Sequence, residues 1–539
     1  LGLDLALQGN TLVDITADDD TSRITLSGDI SGSYDLTLRG TEADGWNRVT
    51  LSGSNSYTGT TYVGTSGNDV TGWFTDPGAL PGDVVVADGS QLKLAPEGTA
   101  KEFTNDITIS GDGAESLSQP GWMGKNFAGA LVLNNGAEVS GTVTLTGDSR
   151  ISGNNRSSGT ISGQITGNHA LTFGQNGGGP GTIRISNPAN DWTGDTSVTG
   201  GGLTSSSGRK FRLELDAANV LPSGVGYGDL NIATNRNTTV DTNGNDQSIN
   251  GLNGGFVEGS HDFVGGGTLT LGNANADGDF NGWLEMTQLV KTGAGNQRLG
   301  GNTIISTSTT VNAGTLTVDD RYMAPGAVSV ADGASFVLDG GELRYTDATA
   351  MNLNTSGTFT FNSGRLEGTN WNGGLSGLTV GTDMVVSPGT SPGQASTGSQ
   401  SWDDGGTFEL EINDAEGAAG INWDHLALSD TLDLSTLETG ETFTLELISL
   451  DAANDPGLVA NFDETALYDW EFASFNNLTG TLDPDLFDID TTGFENTYTN
   501  WFTVTREGNS LRVSYVPEPV SGLLLALGAA VVCLRRRRR

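Results

Sequence analysis

The sequence predicts an all-β chain wound as a solenoid, and three observations carry that prediction. Apolar residues recur at alternate positions: Thr315, Leu316, Thr317 and Val318 alternate strictly and Val311 lies just upstream, a period of two rather than 3.6. A unit of sequence also recurs. In LSGSNSYTGTTYVG at 51–64, Asn55, Tyr57, Thr58, Gly59, Thr61 and Val63 stand at the same offsets as Asn190, Trp192, Thr193, Gly194, Thr196 and Val198. The composition fits tight corners repeated many times, because 81 of 539 residues are Gly, well above the usual ~7%, and Thr, Ser and Asn crowd the same segments. A disordered Gly/Ser linker would not carry 35% hydrophobic residues as short runs of Val, Leu and Ile.

Taken in order, the chain starts LGLDLALQGN without Met, basic flank or apolar core, so a signal peptide has been removed or the sequence is a fragment. Residues 1–400 read as strands of roughly four to six residues, such as 22–27, 84–87, 107–110, 142–146, 182–186, 268–271 and 358–361, punctuated by SG, NG, TG and DG turns. PGDVVVADGSQL at 81–92 and PGAVSVADGASF at 325–336 echo each other, each after a copy of the repeat. Three divergent modules follow, at about 45–100, 181–235 and 289–341, each with several rungs of ~20 residues. Gly59, Gly194 and Gly314 are expected at corners that leave no room for a Cβ.

The stretch 289–318, LVKTGAGNQRLGGNTIISTSTTVNAGTLTV, is the fullest copy, one residue longer before its Val and with Ser in place of one Gly. Its Lys291, Thr292, Gly293, Gly295, Leu299, Gly301, Asn302, Thr310, Val311, Gly314 and Leu316 resemble the autotransporter-associated β-strand repeat. That resemblance implies a right-handed parallel β-helix of the kind found in long surface-exposed passenger regions. It covers three short windows and says little about activity.

Near Ser387 the text changes to SPGTSPGQASTGSQ. Pro388, Gly389, Ser391, Pro392 and Gly393, followed by the pair Trp423 and Asp424, resemble the closing segment that often follows such repeats. Aromatic density then rises through Phe462, Tyr468, Trp470, Phe472, Phe475, Phe487, Phe494, Tyr498 and Trp501. Residues 401–515 are expected to form a β-rich cap over the open end of the solenoid, where strand edges would otherwise be unpaired.

The chain ends with Val516, Pro517, Glu518 and Pro519, an apolar run at 520–534, then Arg535, Arg536, Arg537, Arg538 and Arg539. A helix of that run would reach about 22 Å, short against a ~30 Å hydrocarbon core but tolerable with snorkelling arginines. The ordered triplet resembles the PEP-CTERM sorting signal of Gram-negative bacteria. It implies export, transient retention in the inner membrane, and cutting near Pro517 to Pro519 by an exosortase-type protease. A barrel-anchored autotransporter would need far more chain after Tyr515.

Twenty-five Lys and Arg face 65 Asp and Glu, a net charge of -40, which disfavours nucleic acid as a partner and suits an acidic protein of a solvated exterior. The single cysteine, Cys533, allows no intrachain disulfide. Acids pair at Asp18 to Asp20, Asp319-Asp320 and Asp403-Asp404, and His169, His261 and His425 stand alone without metal-ligand spacing. The oxygen-rich 273–279, NANADGD, looks like a cation loop but lacks the bidentate Glu of an EF-hand, so no cofactor is expected and calcium is only a weak possibility. The sequence therefore predicts a secreted structural or adhesive β-solenoid at the cell surface, in extracellular matrix or envelope, with surface polysaccharide as a possible partner. The alternative is a carbohydrate-active β-helix enzyme, a polysaccharide lyase or glycoside hydrolase, whose mark would be a groove where carboxylates and a cation converge.

Overall fold

The computed structural model describes the chain except residues 16–22, 41–46, 68, 114, 117–125, 128, 154–156, 176–180, 201–210, 235–237, 256–260, 325, 345–356, 370, 372–375, 439 and 518–539. It divides into two compact units, Leu1–Asp320 and Arg321–Arg539. Among the described residues, helix is confined to three single 3-10 turns, at Pro77–Ala79, Asn273–Asn275 and Pro484–Leu486. The chain is all-β, a parallel β-solenoid. The expected terminal helix at 520–534 lies outside the described residues, and no described helix is long and apolar enough to cross a membrane.

In the first unit, the short antiparallel pair Glu115–Ser116 and Asn126–Phe127 apart, strands lie parallel to their counterparts one coil on. Arg23–Leu26 pairs with Arg48–Leu51, that with Thr71–Phe74, then Gln91–Leu94 and Leu131–Leu133. A second column runs Thr11–Ile15, Leu36–Gly40, Thr61–Val63, Val84–Val86 and Ile107–Gly111. A third runs Lys101–Phe103, Ala137–Val139, Ser158–Ile161, Gly181–Ile185 and Phe211–Leu215. In register, period two becomes layers: Leu26, Leu51, Phe74, Leu94 and Leu133 stack in one inward column, each 5% exposed or less. Each strand's backbone donors and acceptors are used by the coils on either side, so no disulfide is needed to hold the stack.

Val311, Leu316 and Val318 are buried and Thr315 and Thr317 half-buried, the inside-out alternation expected of them. Some strands bend across two faces. Val143–Gly153 pairs with Ile107–Gly111 and then with Leu131–Leu133, with a register shift between Ile109 and Gly111, and Asp148 occupies the exposed corner between the two halves.

The second unit stacks Ser335–Arg344, Thr358–Gly368, Met384–Pro388, Thr407–Ile412, Phe443–Ser449 and Phe487–Asp490 in parallel. A second column runs Leu378–Val380, Gln400–Trp402, Thr431–Asp433 and Asn477–Thr479. Coiling thus continues past Gln400. Tyr468–Ser474 then pairs antiparallel with Ser510–Tyr515, and that strand with Phe502–Glu507. The late aromatics fill this region: Trp402 stacks on Phe443 with ring centroids 4.6 Å apart, and Phe462, Tyr468, Trp470 and Tyr515 form a second cluster.

Candidate functional site

Of the recurring residues Asn55, Tyr57, Thr61 and Val63, like Asn190, Trp192, Thr196 and Val198, are buried, while Thr58 is exposed. Asn55 Oδ1 accepts from the Ile30 N-H of the preceding coil at 2.8 Å while its Nδ2 donates to the Ala79 carbonyl of the next at 2.8 Å. Asn190 does the same with Ile165 at 2.8 Å and Val220 at 2.9 Å. Each side chain ties three coils together. Two residues on, the buried Tyr57 hydroxyl meets Thr61 Oγ1 at 2.6 Å, and the buried Trp192 Nε1 donates to Thr196 Oγ1 at 2.9 Å. The Tyr/Trp and Thr positions are therefore one polar-aromatic staple.

The three corner glycines behave as expected, by two routes. A Cβ at Gly59 would collide with the Tyr34 carbonyl, one at Gly194 with the backbone of His169 and Ala170, and one at Gly314 with the Gly295 carbonyl; only Gly314 also has a positive φ, at 66°. In the third copy the extra residue is absorbed as a register shift opposite the Met286 to Gln288 segment. Lys291 is fully buried, and its Nζ donates to the carbonyls of Thr292 at 2.6 Å, Gly293 at 3.0 Å and Ala313 at 3.2 Å. Burial lowers its pKa. The Lys-Thr-Gly of the repeat is a corner clamp.

One open groove of the first unit gathers charged side chains: Asp69, Asp88, Asp112, Asp148 and Arg150, with Ser110, Ser149 and Thr172 beside them. Asp112 Oδ1 accepts from Arg150 Nε at 3.2 Å, and Arg150 also reaches Thr199 at 3.0 Å. Asp148 Oδ1 accepts from the Ala170 N-H at 2.9 Å and lies 3.8 Å from His169 Nδ1. Asp88 packs over Gly111, whose φ is 82° and where a Cβ would strike the carboxylate. The acids stay wet, the Asp148 side chain 81% and Asp112 47% exposed, unlike the buried carboxyl a general acid needs near neutral pH. Sequence reading missed this gathering, although the Ala-Asp-Gly at 87–89 was one visible part of it.

Of the other acidic and histidine candidates only Asp279 and Asp319 meet among the described residues, on the single guanidinium of Arg298. Asp319 binds Arg298 at 2.6 Å, Asp403 caps the Asp404 N-H at 2.9 Å and Asp404 the Thr442 N-H at 3.0 Å. Asp18 to Asp20 lie outside the described residues. His261 opens a strand; His425 is buried with Nε2 3.5 Å from Glu471, and burial lowers its pKa while Glu471 opposes. In the loop at 273–279 the oxygens serve the next coil: Asn273 accepts from Thr292, Asn275 from Ala294, Asp277 from Asn296 and Asp279 from Arg298. Among the described residues no group of three or more His, Cys, Asp or Glu is placed to hold a metal ion.

The Pro-Gly-rich turn and the Trp-Asp pair do meet. Fully buried Asp424 accepts from the Gly393 N-H at 2.7 Å through one oxygen and from the Glu411 N-H at 2.9 Å through the other, and Trp423 Nε1 donates to the Glu471 carbonyl at 2.9 Å. Burial raises the pKa of both Asp424 and Glu411. Of the sorting-signal residues only Val516 and Pro517 are described. Neither is in a strand, and Val516 is exposed with its carbonyl bonded to Asn500 Nδ2; Glu518, Pro519 and Arg535 to Arg539 lie outside the described residues.

Over 342 residues the chain is 32% identical to a protein named Adhesin BmaC autotransporter, from Brucella suis biovar 1 (strain 1330). The chain is a distant relative of an autotransporter adhesin. The matched stretch is 58% of this chain but only 9% of the adhesin. No family model matches the chain, and no solved structure matches it. Together the similarity and the solenoid fit an autotransporter-like β-helix.

Proposed function

We propose that the chain is an exported, surface-associated adhesive β-solenoid of a Gram-negative bacterium, structural rather than enzymatic. The observation that carries this is the 342-residue similarity to an autotransporter adhesin, in a chain whose strands stack in parallel coils with aliphatic side chains inward. The tail supplies the route: Val516 to Pro519, the apolar run at 520–534 and the five terminal arginines act as a PEP-CTERM signal, holding the protein in the inner membrane until an exosortase-type protease cuts it. Residues 401–515 close the solenoid, the antiparallel strands Phe502–Glu507 and Ser510–Tyr515 ending the run of parallel edges. The test is a strain carrying a tagged copy. Wild-type cells should display the tag at the surface and adhere to a matrix-coated plate, and cells lacking the chain should lose adhesion. Tag retained in the cytoplasm of wild-type cells would sink the reading.

A carbohydrate-active enzyme is the second reading, and the groove of Asp88, Asp112, Asp148 and Arg150 favours it. Incubation of the protein with acidic and neutral polysaccharides should release no reducing ends and no unsaturated product. Turnover that disappears in Asp112→Asn and Asp148→Asn would reverse the order of the two readings.

A further inference from the structure

The outward face of the first column carries cations without acids. Arg23 and Arg48 are direct partners in register, and Lys93 is the direct partner of Trp73. Arg48 reaches from one neighbouring strand to place its guanidinium carbon 4.5 Å from the centre of the Trp73 ring, and Lys93 from the other brings Nζ to 3.7 Å. Two cationic arms therefore share one ring, whose quadrupole favours each. Many other described arginines are paired with acids, among them Arg39 with Asp14, Arg150 with Asp112, Arg184 with Glu214, Arg298 with Asp319, Arg365 with Glu409 and Arg512 with Glu471; Arg506, over the Phe475 ring, is an isolated exception in the second unit. Among the described residues no carboxylate pairs with Arg23, Arg48 or Lys93, and Arg48 Nε is buried without a hydrogen-bond partner. Like charges stacked directly opposite each other are destabilising. Among the described residues, in a chain with 65 acids, they stand unmatched in one strip.

We propose that the strip of Arg23, Arg48 and Lys93 around Trp73 is a binding site for an acidic polysaccharide, a linear chain of uronate sugars whose carboxylates meet the three cations. It deepens the adhesive reading and rests on it. Arg23 and Arg48 stand on successive strands about 5 Å apart, and Lys93, in the next outward row with Trp73, Thr50 and Thr25, brings its ammonium to the same ring as Arg48, so the three cations cluster within reach of a short length of polymer. Guanidinium binds carboxylate in a forked, two-bond geometry. Thr25, Thr50 and Thr71 stand on the same outward face, partly or fully exposed, and offer hydroxyls to sugar hydroxyls. Single-stranded nucleic acid would need aromatic faces for its bases, and the Trp73 ring is already engaged by Arg48 and Lys93. A broad anionic membrane would meet the acids that surround so narrow a strip. Burial pushes the Lys93 ammonium down to about 8, with the Arg48 charge adding to it. The bound carboxylate would reverse that, and binding should fade as pH rises through that value.

The purified full chain, kept in a mild non-ionic detergent, is passed over immobilised polygalacturonate, dextran and single-stranded DNA. Wild type should be retained on polygalacturonate alone and released by salt. Arg48→Glu with Lys93→Glu should weaken that retention about tenfold, with circular dichroism and melting midpoint unchanged. Arg506→Glu, a cation of the second unit, should leave it as it was. Equal retention of the strip variant and wild type, equal retention on DNA, or no retention on polygalacturonate at low salt would each overturn the proposal. The surface display and adhesion measured in cells are read separately, so the strip can fail while the adhesive reading stands.

Discussion

At the residue scale the repeat is a set of buried polar contacts. Tyr57 is fully buried, its pKa raised by that burial, and its hydroxyl has Thr61 as partner. Thr61→Val keeps the shape and removes the partner, so it should destabilise the first unit by about 1–3 kcal/mol, the penalty of a buried hydroxyl left unsatisfied. Adding Tyr57→Phe to the same chain should restore part of the loss, because both polar ends are then gone. Urea unfolding of the two single variants and the double variant checks this, and strict additivity would show that the contact contributes nothing. The glycines separate two causes of intolerance. Gly67 has a φ of 79° and open space around its Cβ position, whereas Gly59 has an ordinary φ and the Tyr34 carbonyl in the way. Gly67→Ala should cost about 1 kcal/mol from backbone strain alone, and Gly59→Ala more, because two backbones would have to separate. Matched melting curves decide the order.

At the element scale the second unit stacks acids. Glu409, Glu446 and Asp490 lie in register on successive strands, and Glu446 has a raised pKa, from burial first and then from Glu409 and Asp490. Glu411 is raised too, chiefly by burial. A carboxyl whose folded pKa exceeds its unfolded value of about 4.5 contributes stability that is full below that value and lost as pH rises through the folded pKa. Asp463 runs the other way, lowered by its bonds to Thr465, but it is fully exposed and its window lies below 3.8. The second unit should therefore unfold at higher urea near pH 5 than at pH 8, and Glu446→Gln should flatten the difference. A flat profile in the wild type would count against the acid stack. These strands also show where the sequence stopped being legible. The alternation of Thr315 to Val318 needs only the period of a strand, and the offsets of Asn55, Tyr57 and Thr61 repeat without gaps, so the fold and the staple could be read. Thr407–Ile412 could not be read as one more coil, since Glu409 and Glu411 look like solvent-facing residues and are both buried. The groove was hidden for a different reason: its acids come from coils of unequal length, and only stacking brings Asp88, Asp112 and Asp148 to one corner.

At the scale of the whole molecule, coils, acidic surface and tail ask for one itinerary. A scaffold held by backbone pairing between coils needs no oxidising compartment to staple it, and a net charge of -40 keeps it soluble where it emerges. Under the proposed function, what remains is to hold it at the membrane and let it go. Val516 is exposed and outside any strand just after the last antiparallel strand, Ser510–Tyr515. Pro517 and Pro519 fix φ and lack N-H donors, which disfavours a further sheet strand there, and under the proposed function this is the stretch the protease should reach. Beyond it, dragging five arginines through the bilayer costs several kcal/mol, so the apolar run at 520–534 should stall as an anchor until the chain is cut. Mature protein recovered outside the cell should lack residues 520–539, and replacing Pro517, Glu518 and Pro519 together by Ala should leave the full chain in the membrane fraction. Mass spectrometry of the external protein decides the matter: an intact peptide containing Arg535 to Arg539 would make the tail a plain membrane anchor and leave the adhesive solenoid to reach the surface by some other route.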